Sequence, residues 1–482
     1  MCGIMGVSLP DGATNAVKLV YDGLRQLQGR GQDGSGIFAL GPNGHGYHRG
    51  LGLVPDVYPA EFVNLPAGAA IGHNRYATQG PPSAINLQPH LAICKDGTIA
   101  LASNGDIPDY LGWRRRLDQD YVSLLSDNDG ELLAWLIAQA YDRTGSMVEA
   151  IATVQQEVRG AYSAVLLFGS ALYAFRDPLG IRPLLMAELP SGGIGFASEE
   201  AAFDIHLADR TKYREVPAGG IIEAYQGVPL YHRSGQPATA ACIFELIYFA
   251  RPDGHMFGRP VSLFRRRTGW RLGRRMPRID LESAVVVSVP DSANEIAAGV
   301  ADYLSRPLVP ALLRAHSARR TFIEREHRIR DEGVRYKLNP DSWLIDSRDI
   351  ILVDDSIVRG TTMHRIVQMI RRARARSIHL LIGSPPVRWS CFMGIATPTR
   401  EELIASHTAV EDIAHYLQVD SLIYLTLDES EAAAGPLTDW ELERFRAYLG
   451  PHAPNLQKEL EQNQTKQFCT ACFSGQYPIP VI

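Results

Sequence analysis

No apolar run in these 482 residues approaches the roughly 20 that a membrane-crossing helix needs, so spanning a bilayer by helix is not expected. Cysteine is scarce. Six in the whole chain cannot form a disulfide framework, and a reducing cytoplasm is the expected compartment. An excess of charge is missing too: 48 Lys and Arg against 53 Asp and Glu leave −5, which gives no support to nucleic-acid binding. The opening MCGIMGVSLPDG lacks both a basic stretch and an apolar core, so a signal peptide is not expected. Internal repeats and low-complexity segments are absent. What is present is an ordinary enzyme composition, 45% hydrophobic and 21% charged, with length for roughly two to four domains.

The most informative stretch runs from Ile350 to Met363, IILVDDSIVRGTTM. Ile350, Ile351, Leu352 and Val353 predict a buried parallel strand. Two carboxylates follow, Asp354 and Asp355, then a loop of Ser356, Val358, Arg359, Gly360, Thr361 and Thr362. Met363, Ile366, Val367 and Ile370 have helical spacing, and Ile378 to Ile382 predicts a second strand, closing a βαβ unit. A loop at a helix N-terminus offers backbone N–H groups and the helix dipole to a phosphate. The carboxylates suit sugar hydroxyls or Mg²⁺. A solvated turn with an acidic pair is the plainer reading of the spacing.

Cys2 directly follows Met1. Removal of Met1 would leave a thiol and a free α-amine on one residue, and an amine titrating near pH 8, roughly, can serve as the base for the thiol. A cysteine at position two can equally be chance. Four later segments bear on it: LQGRGQDGSGI (Leu27 to Ile37), IGHNRYATQG (Ile71 to Gly80), LASNGDIPDY (Leu101 to Tyr110) and SDNDGELLAWLIA (Ser126 to Ala138). Short alternating strands are predicted in GAAIGHNRY, TIALASNG and AYSAVLLFGSALYAFRD, with helices near Ala16 to Leu27 and Glu131 to Tyr141.

The IILVDDSIVRGTTM stretch resembles the fingerprint of the type I phosphoribosyltransferases, whose acidic pair holds the ribose hydroxyls of phosphoribosyl pyrophosphate (PRPP) and whose loop holds its 5-phosphate. The four N-terminal segments resemble the class II, N-terminal-nucleophile glutamine amidotransferases. That resemblance implies an Ntn-hydrolase αββα sandwich over residues 2–235, with Cys2 as nucleophile. Arg75 would bind the α-carboxylate of glutamine and Asp129, rather than Asp127, its α-ammonium. The Asn104 amide and the Gly105 N–H would form an oxyanion hole. A hairpin turn is the plain reading of Asn104-Gly105, and a surface ion pair that of Arg75.

The remainder reads as an α/β phosphoribosyltransferase domain over 240–450 with a tail at 451–482, joined by SGQPATA. ACIFELIYFARPDG (Ala241 to Gly254), AVVVSVPDS (Ala284 to Ser292) and SPPVRWSCFMGIATPTREELIA (Ser384 to Ala405) resemble the glutamine PRPP amidotransferases. Ser292 is placed to join Asp354 and Asp355 on Mg²⁺. Cys469 and Cys472 form a CxxC, compatible with zinc, a redox pair or nothing. Together with Cys242 and Cys391 they match the positions at which the Bacillus-type branch holds a [4Fe–4S] cluster; Zn²⁺ in a Cys₄ site is the alternative occupant. Cys94 is expected to be an ordinary thiol, and Arg371 to Arg376 one solvated helix face.

The resemblance implies glutamine, PRPP and water giving phosphoribosylamine, pyrophosphate and glutamate, with ammonia passed between two sites. It also implies purine-nucleotide feedback and a homotetramer. Departures are visible: Gly29 for the usual His, Ser103 and Asp106 flanking Asn104-Gly105, Ala293 for Gly, and Ala396 for Asp. The loop expected to close over PRPP reads RAHSARRTFI, with Arg314, Ser317 and Arg319 replacing Lys, Tyr and Gly, and with Arg320 retained. Two further readings stay open: a paralogue delivering ammonia to PRPP or another phosphosugar, and a PRPP-sensing regulator without catalysis.

Overall fold

The computed structural model describes residues 1–42, 44–77, 80–233, 239–277, 282–314, 338–449 and 467–481. The N-terminal half holds two antiparallel sheets. In the seven-stranded sheet, Gly3–Ser8 lies in the middle, paired with Ile194–Ala197 on one side and Ala69–Arg75 on the other. Its register sets Gly3 opposite Asn74. In the six-stranded sheet, Gly97–Asp106 pairs with His90–Cys94 and Ala161–Phe168. Ile4, Ile71 and Phe196 of the first sheet share one core with Ala102, Val165 and Leu172 of the second. The helix Ala16–Gln26 covers the outer face of the first sheet, and Asp129–Thr144 and Met147–Glu157 cover that of the second. The result is the four-layer αββα sandwich.

The alternation expected of the strands is replaced by continuous burial: every residue of Gly3–Ser8 and of Ala69–Arg75 is buried. At the centre of each sheet a second sheet covers one face and helices the other, so these strands need no polar alternation, whereas the edge strands Gly44–Leu51 and Val228–Arg233 stay partly or largely exposed. The helix Asp129–Thr144 starts where Asn128 Oδ1 accepts from the Gly130 N–H at 2.8 Å and stops at Gly145 with φ +71°.

The second half is built on a parallel sheet whose order is Ala284–Ser288, Asp349–Asp354, Ser377–Ile382, Ser421–Tyr424. The expected βαβ unit is there. Met363, Ile366, Val367 and Ile370 form the buried stripe of the helix Thr361–Arg372. On the other face, helices Val261–Arg275 and Asn294–Leu304 touch backbone to backbone. A Cβ on Gly269 would lie 2.0 Å from the Ile296 carbonyl oxygen, and one on Gly299 2.2 Å from that of Arg266. The C-terminal Phe468–Cys469 pairs in parallel with Ala241–Cys242 of the joining segment.

The basic run is largely solvated, as expected: Arg372, Arg374 and Arg376 are exposed. Its helix ends at Arg372, so the run extends beyond one helix face, and at the surface Arg371 pairs with Asp420 at 2.6 Å and Arg376 with Asp349 at 2.9 Å. The Arg376 guanidinium holds the Asp349 carboxyl well below the usual carboxylate range.

Glu441 sits fully buried between Arg267, at 3.0 Å, and Arg271, at 2.8 Å, and ties its helix, Asp439–Leu449, to Val261–Arg275. Removing one partner of such a group strands the other charges out of water, at about 3–5 kcal/mol. Glu441→Ala is therefore expected to lower the thermal midpoint of the second half by several degrees in calorimetry, well beyond the effect of an exposed pair such as Arg251–Asp253.

Candidate active sites

Cys2, the expected nucleophile, immediately precedes the central strand Gly3–Ser8. Cys2 is buried, and its backbone N–H donates to Asn104 Oδ1 at 3.1 Å. Its Sγ lies 3.4 Å from both the nitrogen and the oxygen of Tyr76. Because Asn104 Oδ1 is taken, its Nδ2 is left buried and without a hydrogen-bond partner among the described residues. Gly105 cannot carry a side chain: a Cβ would lie 1.9 Å from the Ala161 carbonyl oxygen. Burial pushes the Cys2 thiol up, opposed by the N-terminal charge and Arg75. With Met1 attached, burial pushes the chain's α-amine down to about 4.

Arg75 and Asp129 are both buried here, and both act electrostatically on Cys2. Asp127 faces outward and pairs with Arg114 at 2.8 Å. Burial, then Asp106, pushes Asp129 up to about 7, with Arg75 acting the other way. His73, beside Arg75, is fully buried; burial, then Arg75 and His90, push it well below the ordinary histidine range.

Beneath Cys2 lies a buried ion network that spacing did not reveal. Arg30 Nε donates to the Cys2 carbonyl at 2.9 Å. Its other nitrogens reach Glu199 at 2.5 Å and Glu245 at 2.8 Å. Arg182 lies 3.7 Å from Glu245 and contacts the Met1 sulfur. Glu245 was legible only as a charge inside the apolar run Phe244 to Ile247. It sits on a π-helical turn, Glu245–Phe249, a rare geometry frequent at functional sites.

In the second site, Asp354 ends its strand and Asp355 opens the loop. Asp355 accepts from the Ser292 and Ser356 hydroxyls, the latter at 2.5 Å, and its N–H donates to Asp354 Oδ1 at 2.9 Å. Burial raises both carboxyls, and for Asp354 its neighbour Asp355 raises it further. Gly360, at φ +80°, caps the helix that begins with Thr361 and Thr362. The Val358 carbonyl accepts from the Ile404 N–H at 3.0 Å, and Arg359 pairs with Glu402 at 3.0 Å. Arg314 pairs with Asp291. Ser317, Arg319 and Arg320 lie outside the described residues.

Cys242, Cys391, Cys469 and Cys472 share one core, and the last three are pushed up by burial first and by one another's charge: Cys391 to about 11, Cys469 to about 12. Among the described residues no three His, Cys, Asp or Glu are placed to hold a single metal ion. Beside the thiols stands Arg182, fully buried, with Nε and Nη2 lacking a hydrogen-bond partner among the described residues. A buried guanidinium with idle donors next to four thiols fits an anionic occupant. Cys94 lies apart in the fold, its thiol on the Gly97 carbonyl at 3.3 Å.

Asp129 supplies a pH test. Its folded pKa, about 7, lies above that of an unfolded aspartate, about 4. The folded state therefore holds a proton that the unfolded state releases, and Asp129 costs stability increasingly as pH rises from 4 through 7. Asp129→Asn is expected to raise the thermal midpoint at pH 8 more than at pH 5, while weakening glutamine binding. An equal change at both pH values would contradict this.

Residues 73–204 match the glutamine amidotransferase domain family. Amidophosphoribosyltransferase 3, chloroplastic, of Arabidopsis thaliana is 37% identical over 481 residues, covering 99% of this chain and 84% of the relative. Amidophosphoribosyltransferase of Methanothermobacter thermautotrophicus is 36% identical, covering 100% and 95%. The solved glutamine PRPP amidotransferase from B. subtilis, complexed with ADP and GMP, superposes with a TM-score of 0.83 at 32% identity, covering 100% of this chain and 98% of that one. The chain, with its thiol at the edge of an αββα sandwich and its acidic loop on a parallel sheet, belongs to the amidophosphoribosyltransferases, glutamine amidotransferases of the first step of purine biosynthesis.

Proposed function

We propose that this chain makes 5-phosphoribosylamine in two steps, with Cys2 and the Asp354 loop dividing the work. The observation that carries the reading is the Cys2 nitrogen 3.1 Å from Asn104 Oδ1, with Asn104 Nδ2 left idle. Once Met1 is removed, that nitrogen is an amine able to take the thiol proton. Arg75 and Asp129 hold the α-carboxylate and α-ammonium of glutamine. The thiolate attacks the side-chain amide, and Asn104 Nδ2 and the Gly105 N–H receive the oxyanion. The amine returns its proton to the departing ammonia, and water hydrolyses the thioester to glutamate. A buried Asp129 lacking a full counter-charge is what a site awaiting an ammonium requires.

Ammonia then displaces pyrophosphate at C1 of PRPP. Asp354 and Asp355 hold the ribose hydroxyls, and Ser356, Val358, Arg359, Gly360, Thr361 and Thr362 surround the 5-phosphate at the helix N-terminus. Ser292, Asp354 and Asp355 fit Mg²⁺, which keeps most of its waters and would offset charge on the pyrophosphate. The four thiols are read as the ligands of a [4Fe–4S] cluster, with Zn²⁺ in a Cys₄ site as the alternative occupant; the idle donors of Arg182 beside them support an anionic group. Bound there, the cluster would pin the C-terminal Phe468–Cys469 to the joining segment. Purine nucleotides as feedback ligands, a homotetramer and a cytoplasmic setting complete the proposal. Among the described residues no helix is long and apolar enough to cross a membrane.

Anaerobically purified protein tests the division. Cys2→Ala is expected to abolish glutamine-dependent phosphoribosylamine formation while ammonium chloride at alkaline pH still supports it. Asp354→Asn should lose both. Asn104→Ala should lower glutaminase kcat by about 10²-fold to 10³-fold, the range for losing one oxyanion donor. Loss of ammonia-dependent synthesis in Cys2→Ala would sink the two-site reading.

A further inference from the structure

The Gly105 peptide is closely surrounded. The backbone of Ala161 and Tyr162 lies against it. Gly394, from the second half of the chain, also approaches it. A Cβ on Gly394 would sit 3.1 Å from both the Cα and the carbonyl carbon of Gly105, closer than ordinary van der Waals contact. Gly394 has φ +97°, a conformation that disfavours any side chain. A side chain on Gly394 would therefore press on the Gly105 peptide.

Gly394 is in turn held by Cys391. The Met393 N–H donates to the Cys391 sulfur at 3.3 Å, and the Ile395 N–H is directed at the same sulfur. These two donors flank Gly394. The loop is closed by the Cys391 N–H on Thr397 Oγ1 at 2.6 Å and by the Thr397 N–H on the Ile395 carbonyl at 2.8 Å. Met393 is fully buried in the core that contains the four thiols. A sulfur bearing negative charge accepts N–H bonds more strongly than a neutral thiol.

We propose that Gly394 is a positioning residue of the glutaminase step, setting the Gly105 oxyanion donor, and that Cys391 sets Gly394. The proposal rests on the reading of Asn104 and Gly105 as the oxyanion hole. The four-thiol site then supports ammonia release at the first site, in addition to anchoring the C-terminus. A donor displaced by a few tenths of an ångström still lets glutamine bind but receives the tetrahedral oxyanion poorly. The effect belongs in kcat and not in KM.

The test is Gly394→Ala in the full chain, purified anaerobically. Glutaminase kcat should fall tenfold to about 10²-fold, with the KM for glutamine within about twofold of wild type. Alkylation of Cys2 by iodoacetamide, which forms no oxyanion, should keep its rate, and ammonia-driven phosphoribosylamine formation should persist. Unchanged kcat, a rise confined to KM, or parallel loss of both activities would overturn the proposal. Cys391→Ser is the second variant, should Gly394→Ala not fold: it should show the same split, and equal loss at both sites would overturn the proposal. Wild-type protein that hydrolyses no glutamine would instead remove the oxyanion reading beneath it.

Discussion

The rest of the molecule depends on Arg30. Its guanidinium is buried, holds the Cys2 carbonyl, and is neutralised by Glu199 from the sandwich and Glu245 from the joining segment. A charge this deep is tolerated only with close partners, and the loss of either leaves an uncompensated ion. Arg30 thereby makes correct docking of the second half a condition for fixing the nucleophile. Arg182 extends the network from Glu245 to the thiols of Cys242, Cys391 and Cys469. Chain start, joining segment and C-terminus meet around one set of alternating charges.

Both sites also hold carboxylates that the folded protein alone does not stabilise. Asp129 is pushed up to about 7, and Asp354 and Asp355 are raised by burial. In both sites burial is the first cause of the rise. The proposed roles account for this: a cation or polyol arriving with substrate would relieve these carboxylates, and the idle Asn104 Nδ2 would receive an anion formed only during the reaction.

Much of this was legible in the sequence because it is local. The βαβ unit was readable from Ile350–Val353 and the Met363, Ile366, Val367, Ile370 stripe, since strand and helix periods are properties of short segments. Asp129 was preferred to Asp127 through the family resemblance of the segment that follows it; the structure buries Asp129 and leaves Asp127 outward. The strand alternation failed in the central strands because both faces are covered there, a fact about layers and not strands. The exposure of Arg371–Arg376 was readable, but the pairing of Arg371 with Asp420 and of Arg376 with Asp349 was not, because those acids approach only when the sheet assembles.

The sequence by itself determined the two element sets, the thiol-plus-amine at Cys2 and the acidic loop, because each is written in contiguous residues. Tertiary structure alone decided what supports them. Arg30 meets a glutamate 215 positions away, Cys242 lies opposite Cys469 in a strand pair, and Gly394 comes close to Gly105. No single segment carries those pairings. They exist because burying two halves against each other forces every enclosed charge to find a partner and every close approach to fall on a glycine.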